Sequence, residues 1–155
     1  MKIFKKIFFV ILVLNFLQSC GYQPLLSSKN QKFSVVNVNI YGDKKLARTL
    51  GNYFTEIENA DNNLILEITA DKKKLVSNRT SIGASSEYTV TIIFNVKVTS
   101  EANNKVIFIQ SFTSTNSFKT SKVHLDTLRR ENKIVDNSIK NIAEQLSKRL
   151  SLIFN

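Results

Sequence analysis

The sequence predicts an α+β domain: a four-stranded, mainly antiparallel sheet with two helices packed on one face, in the order β-α-β-β-β-α. Two observations support this fold class. Apolar and polar residues alternate along four segments, and two other segments repeat apolar residues every three or four positions. Alternation gives a strand one apolar face, and the second spacing gives a helix one apolar stripe. An apolar sheet face and apolar helix stripes bury each other by packing in two layers.

The first strand and the first helix follow each other directly. The strand is predicted from Phe33 to Tyr41, with Val36, Val38 and Ile40 on one face and Val35 as an additional residue. Asp43 is a good N-cap for the helix that follows. The apolar residues of that helix lie four, four and three positions apart: Leu46, Leu50, Phe54 and Ile57. They predict an amphipathic helix of about fourteen residues that ends at residues 59–62.

Three strands and a long helix complete the domain. The strands are predicted at residues 64–70, 88–99 and 105–115, and Asn103-Asn104 marks a tight turn between the last two. In the last of these strands, at residues 105–115, Val106, Phe108 and Phe112 are expected on one face. The tail from about Ser121 to Phe154 carries a helical apolar stripe. Its members are Val135, Ile139, Ile142, Leu146, Leu150 and Ile153. We expect the stripe to pack on the sheet; a partner-binding helix is the alternative.

The N-terminus has the features of a bacterial lipoprotein signal. Three lysines and no acid precede an apolar run from Ile7 to Leu17, which is too short to span a membrane and typical of a signal peptide. Leu17-Gln18-Ser19-Cys20 then places an aliphatic residue, a small residue and the chain's single cysteine in the order of a lipobox. Gln18 departs from the small or aliphatic residue that is usual at its position.

These features predict cleavage before Cys20 and lipidation of its thiol. Residues 1–19 are then a signal peptide, residues 20–32 a lipidated N-terminus and tether, and residues 33–155 a single α+β domain. An uncleaved anchor or a buried free cysteine are the alternatives. Lipoproteins kept in the inner membrane commonly have Asp after the cysteine, and this chain has Gly21. We therefore expect a lipid anchor in the outer membrane, facing the periplasm.

The composition favours polyanionic partners in principle. Loss of the three signal-peptide lysines lowers the formal net charge from +10 to +7. An exported chain is difficult to reconcile with nucleic-acid binding, so we expect none. The sequence contains few residues suited to catalysis: His124 is the only histidine, and no metal-binding or nucleotide-binding motif is present. The sequence therefore predicts a protein that is not an enzyme and holds no metal or cofactor.

The basic residues point to one end of the sheet. Residues 71–86 are expected to form a loop between the second and third strands, and in an antiparallel meander this loop lies beside the exit of the last strand. The predicted basic tip consists of Lys72, Lys73, Lys74, Arg79, Lys119 and Lys122. Cations beside apolar strand faces suit an anionic amphiphile, with its phosphates on the cations. The alternative is a solvated loop that keeps the strand ends soluble.

Several motifs of the chain are similar to those of one lipoprotein family. Cys20-Gly21-Tyr22-Gln23-Pro24-Leu25 is similar to that family's Cys-Gly-aromatic-Gln-Pro-Leu start. Similarity to the family extends to Glu87-Tyr88-Thr89-Val90, the polar exit at Asn116 and Thr127-Leu128-Arg129-Arg130-Glu131. In these residues the chain resembles the lipopolysaccharide-assembly lipoprotein family LptE, particularly its alphaproteobacterial branch. The element order agrees over nearly the whole chain.

The resemblance implies a role in lipopolysaccharide transport. Such proteins sit in the lumen of a large LptD-like outer-membrane β-barrel, plug it, help it assemble and contact lipopolysaccharide. The basic tip then becomes a candidate lipopolysaccharide-binding site for lipid A phosphates. Two rivals remain: an accessory lipoprotein of a phospholipid transport system, which needs an acyl-chain pocket, and an envelope hydrolase, which needs converging catalytic groups.

Overall fold

The computed structural model describes residues 32–54, 57 and 60–154, so the predicted signal peptide, Cys20 and most of the tether lie outside the described residues. Six elements follow each other along the chain. They are β1 (Phe33–Gly42), α1 (Lys44–Gly51), β2 (Asn62–Arg79), β3 (Ser85–Ser100), β4 (Val106–Lys119) and α2 (His124–Phe154). This is the predicted order. Within the described ranges, no helix is long and apolar enough to cross a membrane.

The four strands form one mixed sheet in the order β1-β2-β3-β4. β1 and β2 are parallel and joined through α1, whereas β2 with β3 and β3 with β4 are antiparallel. The predicted fold class is therefore confirmed. Asp43 caps α1 as expected, since its carboxylate accepts hydrogen bonds from the N–H groups of Lys45 and Leu46, both at 3.1 Å.

The core lies between the sheet and the two helices. Alternate residues of β2 and β3 face α1 and α2 and are buried, among them Leu66, Ile68 and Phe94. Most of the predicted α2 stripe is buried with them: Val135, Ile139, Ile142, Leu146 and Leu150. Ile153 is 40% exposed, and its neighbour Phe154 instead packs on Phe33, with ring centroids 5.9 Å apart.

α1 is shorter than predicted and ends at Gly51. The N–H groups of Tyr53 and Phe54 donate to the carbonyls three residues earlier, which tightens the chain into turns after the helix. Gly51 also lies against β1, because a Cβ atom here would approach Val38 Cγ1 to 3.1 Å. Phe54 still packs on the core, outside the helix. Residues 55, 56, 58 and 59 of the predicted helix lie outside the described part.

Two register shifts change which side chains share a face. In β1, Val35 pairs with Leu64 and Asn37 pairs with Ile65, so the additional residue is Val36 and not Val35 as predicted. In β4, a shift beside Val98 and Thr99 separates Val106 from Phe108 and Phe112. Val106 pairs with Thr99, whereas Phe108 pairs with Val98 on the core face. A single inserted residue turns every later side chain of the strand to the other face. The alternation of apolar residues alone does not show where such a residue is inserted.

The prediction of a loop from Asp71 to Ser86 is wrong for most of its length. β2 continues to Arg79, and its second half pairs with Ser85–Ile93 of β3. β1 ends opposite Ala70, so the sheet narrows there from four strands to three. The apolar strand β3 supplies a hydrogen-bonding partner over its full length, and this pairing holds the lysine-rich segment extended. Only Thr80–Ala84 turns, with Gly83 at a φ of 82°.

Candidate functional site

The candidate site is the end of the sheet away from the chain's first strand. We call it the distal end: residues 75–88 of the β2–β3 hairpin together with residues 118–128, where β4 leads into α2. Thr120 ties the two parts together, since its N–H donates to the Ser86 carbonyl at 3.0 Å. The Ser121 N–H donates to Thr127 Oγ1 at 2.9 Å, which holds the connecting segment against the first turns of α2.

The six basic residues of the predicted tip do not form one cluster. Because β2 is a strand through this segment, Lys72 and Arg79 lie about 23 Å apart along it. Lys72 and Lys74 pair with Ile92 and Val90, so they point to the helix-covered face. Lys73 points to the opposite face, where its ammonium group is 4.0 Å from Asp71. Alternation along a strand therefore separates the three consecutive lysines.

Lys72 and Lys74 share one buried carboxylate on α2. Their Nζ atoms lie 3.2 and 2.6 Å from the two oxygens of Glu131, a residue only 7% exposed. Lys74 also lies over the ring of Tyr88, 4.3 Å from its centroid, with Phe118 nearby. Burial raises the pKa of Glu131, but hydrogen bonds and charges from Lys74 and Lys72 outweigh it, so the pKa lies below its ordinary value of 4.5. Two cations against one anion leave one positive charge in excess.

The other three basic residues lie at the distal end itself. Arg79 Nη1 donates to the Gly83 carbonyl at 3.0 Å and stiffens the hairpin turn. Lys119 ends β4 opposite Glu87, and its carbonyl accepts from Arg130 Nη1 at 3.4 Å. Lys122 follows in the segment before α2. The distal end thus keeps three cations of the predicted tip: Arg79, Lys119 and Lys122.

A polar cavity opens between the hairpin and the start of α2. Its volume is about 400 Å³. It is lined by Lys74, Ser85, Tyr88, Thr120, Ser121, Lys122, His124, Thr127 and Leu128. Two ammonium groups and several hydroxyls therefore face the same space, and both kinds of group donate hydrogen bonds to an anion. The cavity is large enough for a charged headgroup.

The distal end also exposes aliphatic side chains, and sequence reasoning missed them. Ile82 at the tip of the hairpin is 89% exposed. The distal end also exposes Leu75, Val76, Val123, Leu125 and Leu128. Glu131 was missed as well, although it lies four residues before Val135 and so extends the apolar stripe of α2. The corresponding signal in β2 is that Lys72 and Lys74 continue the alternation of Leu66, Ile68 and Ala70.

His124 is the first residue of α2 and lines the cavity. In residues 32–54, 57 and 60–154, no group of three or more His, Cys, Asp or Glu side chains is placed to hold a metal ion. The arrangement provides charge and hydrogen-bond donors beside aliphatic side chains. Its chemistry is that of binding an anion with an apolar part.

No protein-family model and no curated protein matches this chain. Solved structures do match. Uncharacterized lipoprotein B from Nitrosomonas europaea is 13% identical with a TM-score of 0.59, covering 86% of this chain and 92% of that one. This is a fold of bacterial lipoproteins. The minor lipoprotein from Acinetobacter baumannii is 14% identical with a TM-score of 0.57, covering 78% of this chain and 91% of that one. A protein named as a putative lipoprotein, from Caulobacter crescentus CB15, is 7% identical with a TM-score of 0.55, covering 78% of this chain and 88% of that one.

Proposed function

We propose that this chain is an outer-membrane lipoprotein of lipopolysaccharide assembly. In this proposal it sits in the lumen of an LptD-like β-barrel, helps that barrel to assemble and contacts lipopolysaccharide during insertion. Its anchor is a lipid on Cys20, whose sequence context predicts acylation. The bacterial lipoproteins that share its fold are consistent with such an anchor.

The observation that carries the lipid contact is the composition of the distal end. Lipid A presents phosphates next to acyl chains. Lys122 of the distal end and the neighbouring Lys74 line the same hydroxyl-lined cavity, and the distal end exposes Ile82 and Leu125. Cations bind phosphate through charge-assisted hydrogen bonds, and exposed aliphatic side chains gain by contact with acyl chains. The distal end therefore offers complementary groups to both parts of the lipid.

The uncovered sheet face supports the proposed position inside a barrel. It is rich in hydroxyl groups, two pairs of which bond across β3 and β4: Thr89 with Ser117 at 2.7 Å and Thr91 with Thr115 at 3.1 Å. The lumen of an outer-membrane barrel is polar. A flat polar face is suited to lie against such a wall, while the helices cover the other face.

A charge-reversal pair tests the lipid contact. The variant Arg79→Glu/Lys122→Glu changes two distal cations, and Lys105→Glu/Lys148→Glu makes the same charge change at exposed positions away from the distal end. Purified full-length proteins are titrated with lipopolysaccharide. Since each cation near an anionic lipid surface contributes about 1 kcal/mol, loss of two cations should weaken binding roughly thirtyfold or more in the distal variant, and the control should bind nearly as wild type. Equal loss in both variants overturns the site.

Affinity purification of the full-length protein from detergent-solubilised outer membranes tests the partner. Recovery of a large barrel protein with bound lipopolysaccharide supports the proposal. Recovery of phospholipid with an inner-membrane transporter replaces it with the second candidate, an accessory lipoprotein of phospholipid transport.

One cavity favours that second candidate. It lies between β1 and α1 and has a volume of about 410 Å³. Its lining is Val38, Ile40, Arg48, Gly51, Asn52 and Phe54. Aliphatic and aromatic walls with one guanidinium suit an acyl chain that ends in an anionic group.

A further inference from the structure

In the part of the chain that the structure describes, no strand pairs with the outer edge of β4, and this edge lacks the usual protection. Edge strands are normally blocked by charges, prolines or bulges, because their free N–H and C=O groups pair readily with another strand. From Asp71 to Arg79, where β2 has no β1 beside it, there are five charged residues and two register shifts. β1 carries a bulge at Val36. β4 has neither charge nor proline nor register shift from Phe108 to Phe118.

This unprotected segment has a partly palindromic sequence. Phe108 to Phe118 reads Phe-Ile-Gln-Ser-Phe-Thr-Ser-Thr-Asn-Ser-Phe and is centred on Thr113. Of the five pairs of positions at equal distances from the centre, three are alike in chemistry, whereas Phe112 stands opposite Ser114 and Ile109 opposite Ser117. The like pairs are Ser111 with Thr115, Gln110 with Asn116 and Phe108 with Phe118. A strand that pairs antiparallel with its own copy brings these positions opposite each other.

We propose that two copies of this chain pair through β4, antiparallel and with a two-fold axis at Thr113. The two sheets then join into one, with the helices of both copies on the same side. On the uncovered face, Thr113 meets its equivalent and Ser111 meets the other copy's Thr115. These hydroxyl pairs repeat the kind of contact that Thr91 and Thr115 make within one chain.

Charge and aromatic placement favour a second copy over an unrelated strand. The segment has no charged residue, so self-pairing brings no like charges together; Lys119 lies outside it, opposite Ile107 of the other copy. On the helix-covered face, each Phe108 meets a Phe118, and aromatic cross-strand pairs stabilise a sheet. The pairing is independent of the proposed lipid contact, because it uses β4 and not the distal cavity.

Site-directed cross-linking of the full-length protein in native membranes tests the pairing. Cys20 is the only cysteine, and the unaltered chain measures whatever background it gives. Thr113→Cys places one thiol at the axis, where opposed Cα atoms are about 4.5–5.5 Å apart, within disulfide range. Thr69→Cys is the matched control, an exposed threonine on the same face of the central strand β2. After oxidation with diamide, Thr113→Cys should give several-fold more dimer than the control.

A second variant measures the pairing without a covalent bond. Thr113→Lys puts like charges opposite each other at the axis and should raise the dimer dissociation constant several-fold in sedimentation equilibrium in detergent, while Thr69→Lys should not. Circular dichroism confirms that both variants are folded. Equal cross-linking of the two cysteine variants, a monomeric wild type, or a cross-link from position 113 to a different protein each overturns the proposal.

Discussion

Removal of the Glu131 carboxylate is expected to destabilise the domain more than removal of any exposed carboxylate. In Glu131→Gln the negative charge is lost and one of the two oxygens, at 3.2 Å from Lys72 and 2.6 Å from Lys74, becomes an NH2 group, while the two ammonium groups remain close together. Breaking a fully buried ion pair costs about 3–5 kcal/mol, and an exposed pair contributes about 1 kcal/mol at most. The lysine side chains are about one third exposed, so we expect about 2 kcal/mol, or a fall in Tm on the order of 6–10 °C.

Glu67→Gln is the matched control. Glu67 pairs with Lys97 at 2.9 Å on the uncovered face, where both side chains are more than one third exposed. Urea unfolding at neutral pH should show a loss below about 1 kcal/mol for this variant. Adding Lys74→Met to Glu131→Gln should restore about 1 kcal/mol of the free energy of unfolding. The second substitution removes one of two cations that repel each other and keeps an apolar contact with Tyr88. If Glu131→Gln is no more destabilising than Glu67→Gln, the reasoning about burial is wrong.

The same carboxylate sets a pH dependence. The pKa of Glu131 is lower in the folded chain than its ordinary value of 4.5, so the unfolded chain takes up the proton first as the pH falls. The stability from this group is therefore fully present above about pH 4.5 and is lost as the pH falls through the folded pKa. The stability difference between wild type and Glu131→Gln should shrink in that acidic window. A constant difference down to the acid transition contradicts the assignment.

Two glycines and the N-cap of α1 give further tests, all measured by urea unfolding. Gly42 and Gly83 both have positive φ, but only at Gly42 would a Cβ collide with the Ala70 carbonyl oxygen. Gly83→Ala should cost about 1 kcal/mol from its left-handed conformation alone, and Gly42→Ala should cost more than about 3 kcal/mol or prevent folding. If both substitutions lower the free energy of unfolding by similar amounts, the close approach between Gly42 and the Ala70 carbonyl is wrong. Asp43→Ala should lose about 1 kcal/mol with the cap of α1, whereas Asp43→Asn should lose little; an equal loss in both would show that charge and not capping matters.

The sequence predicts the elements of this fold well because burial imposes a period on each. The stripe from Val135 to Leu150 and the alternation from Tyr88 to Val98 both survive in the structure. The predicted strand β2 is too short, because consecutive lysines are typical of a loop when local composition alone is considered. Their extended conformation comes from pairing with β3, a contact between distant residues that local composition does not contain.

The candidate site was predicted only in part. The distal location of Arg79, Lys119 and Lys122 follows from the antiparallel connectivity, which the sequence indicated. The ion pairing of Lys72 and Lys74 with Glu131 depends on where α2 crosses the sheet. Packing of the whole core sets that crossing, so the sequence alone does not predict that these lysines pair with a carboxylate on α2.

The end of β1 opposite Ala70 divides β2 into two parts with different dynamics. From Leu64 to Ala70, amide groups are protected by neighbours on both sides and by a buried face, so hydrogen exchange there should require nearly global unfolding. From Asp71 to Arg79, one side of the strand has no partner strand in the described sheet and every residue is exposed, so local opening costs much less free energy. A single continuous strand therefore joins a rigid base to a hairpin that adapts its shape. The distal end can therefore change conformation without loosening the core that holds it.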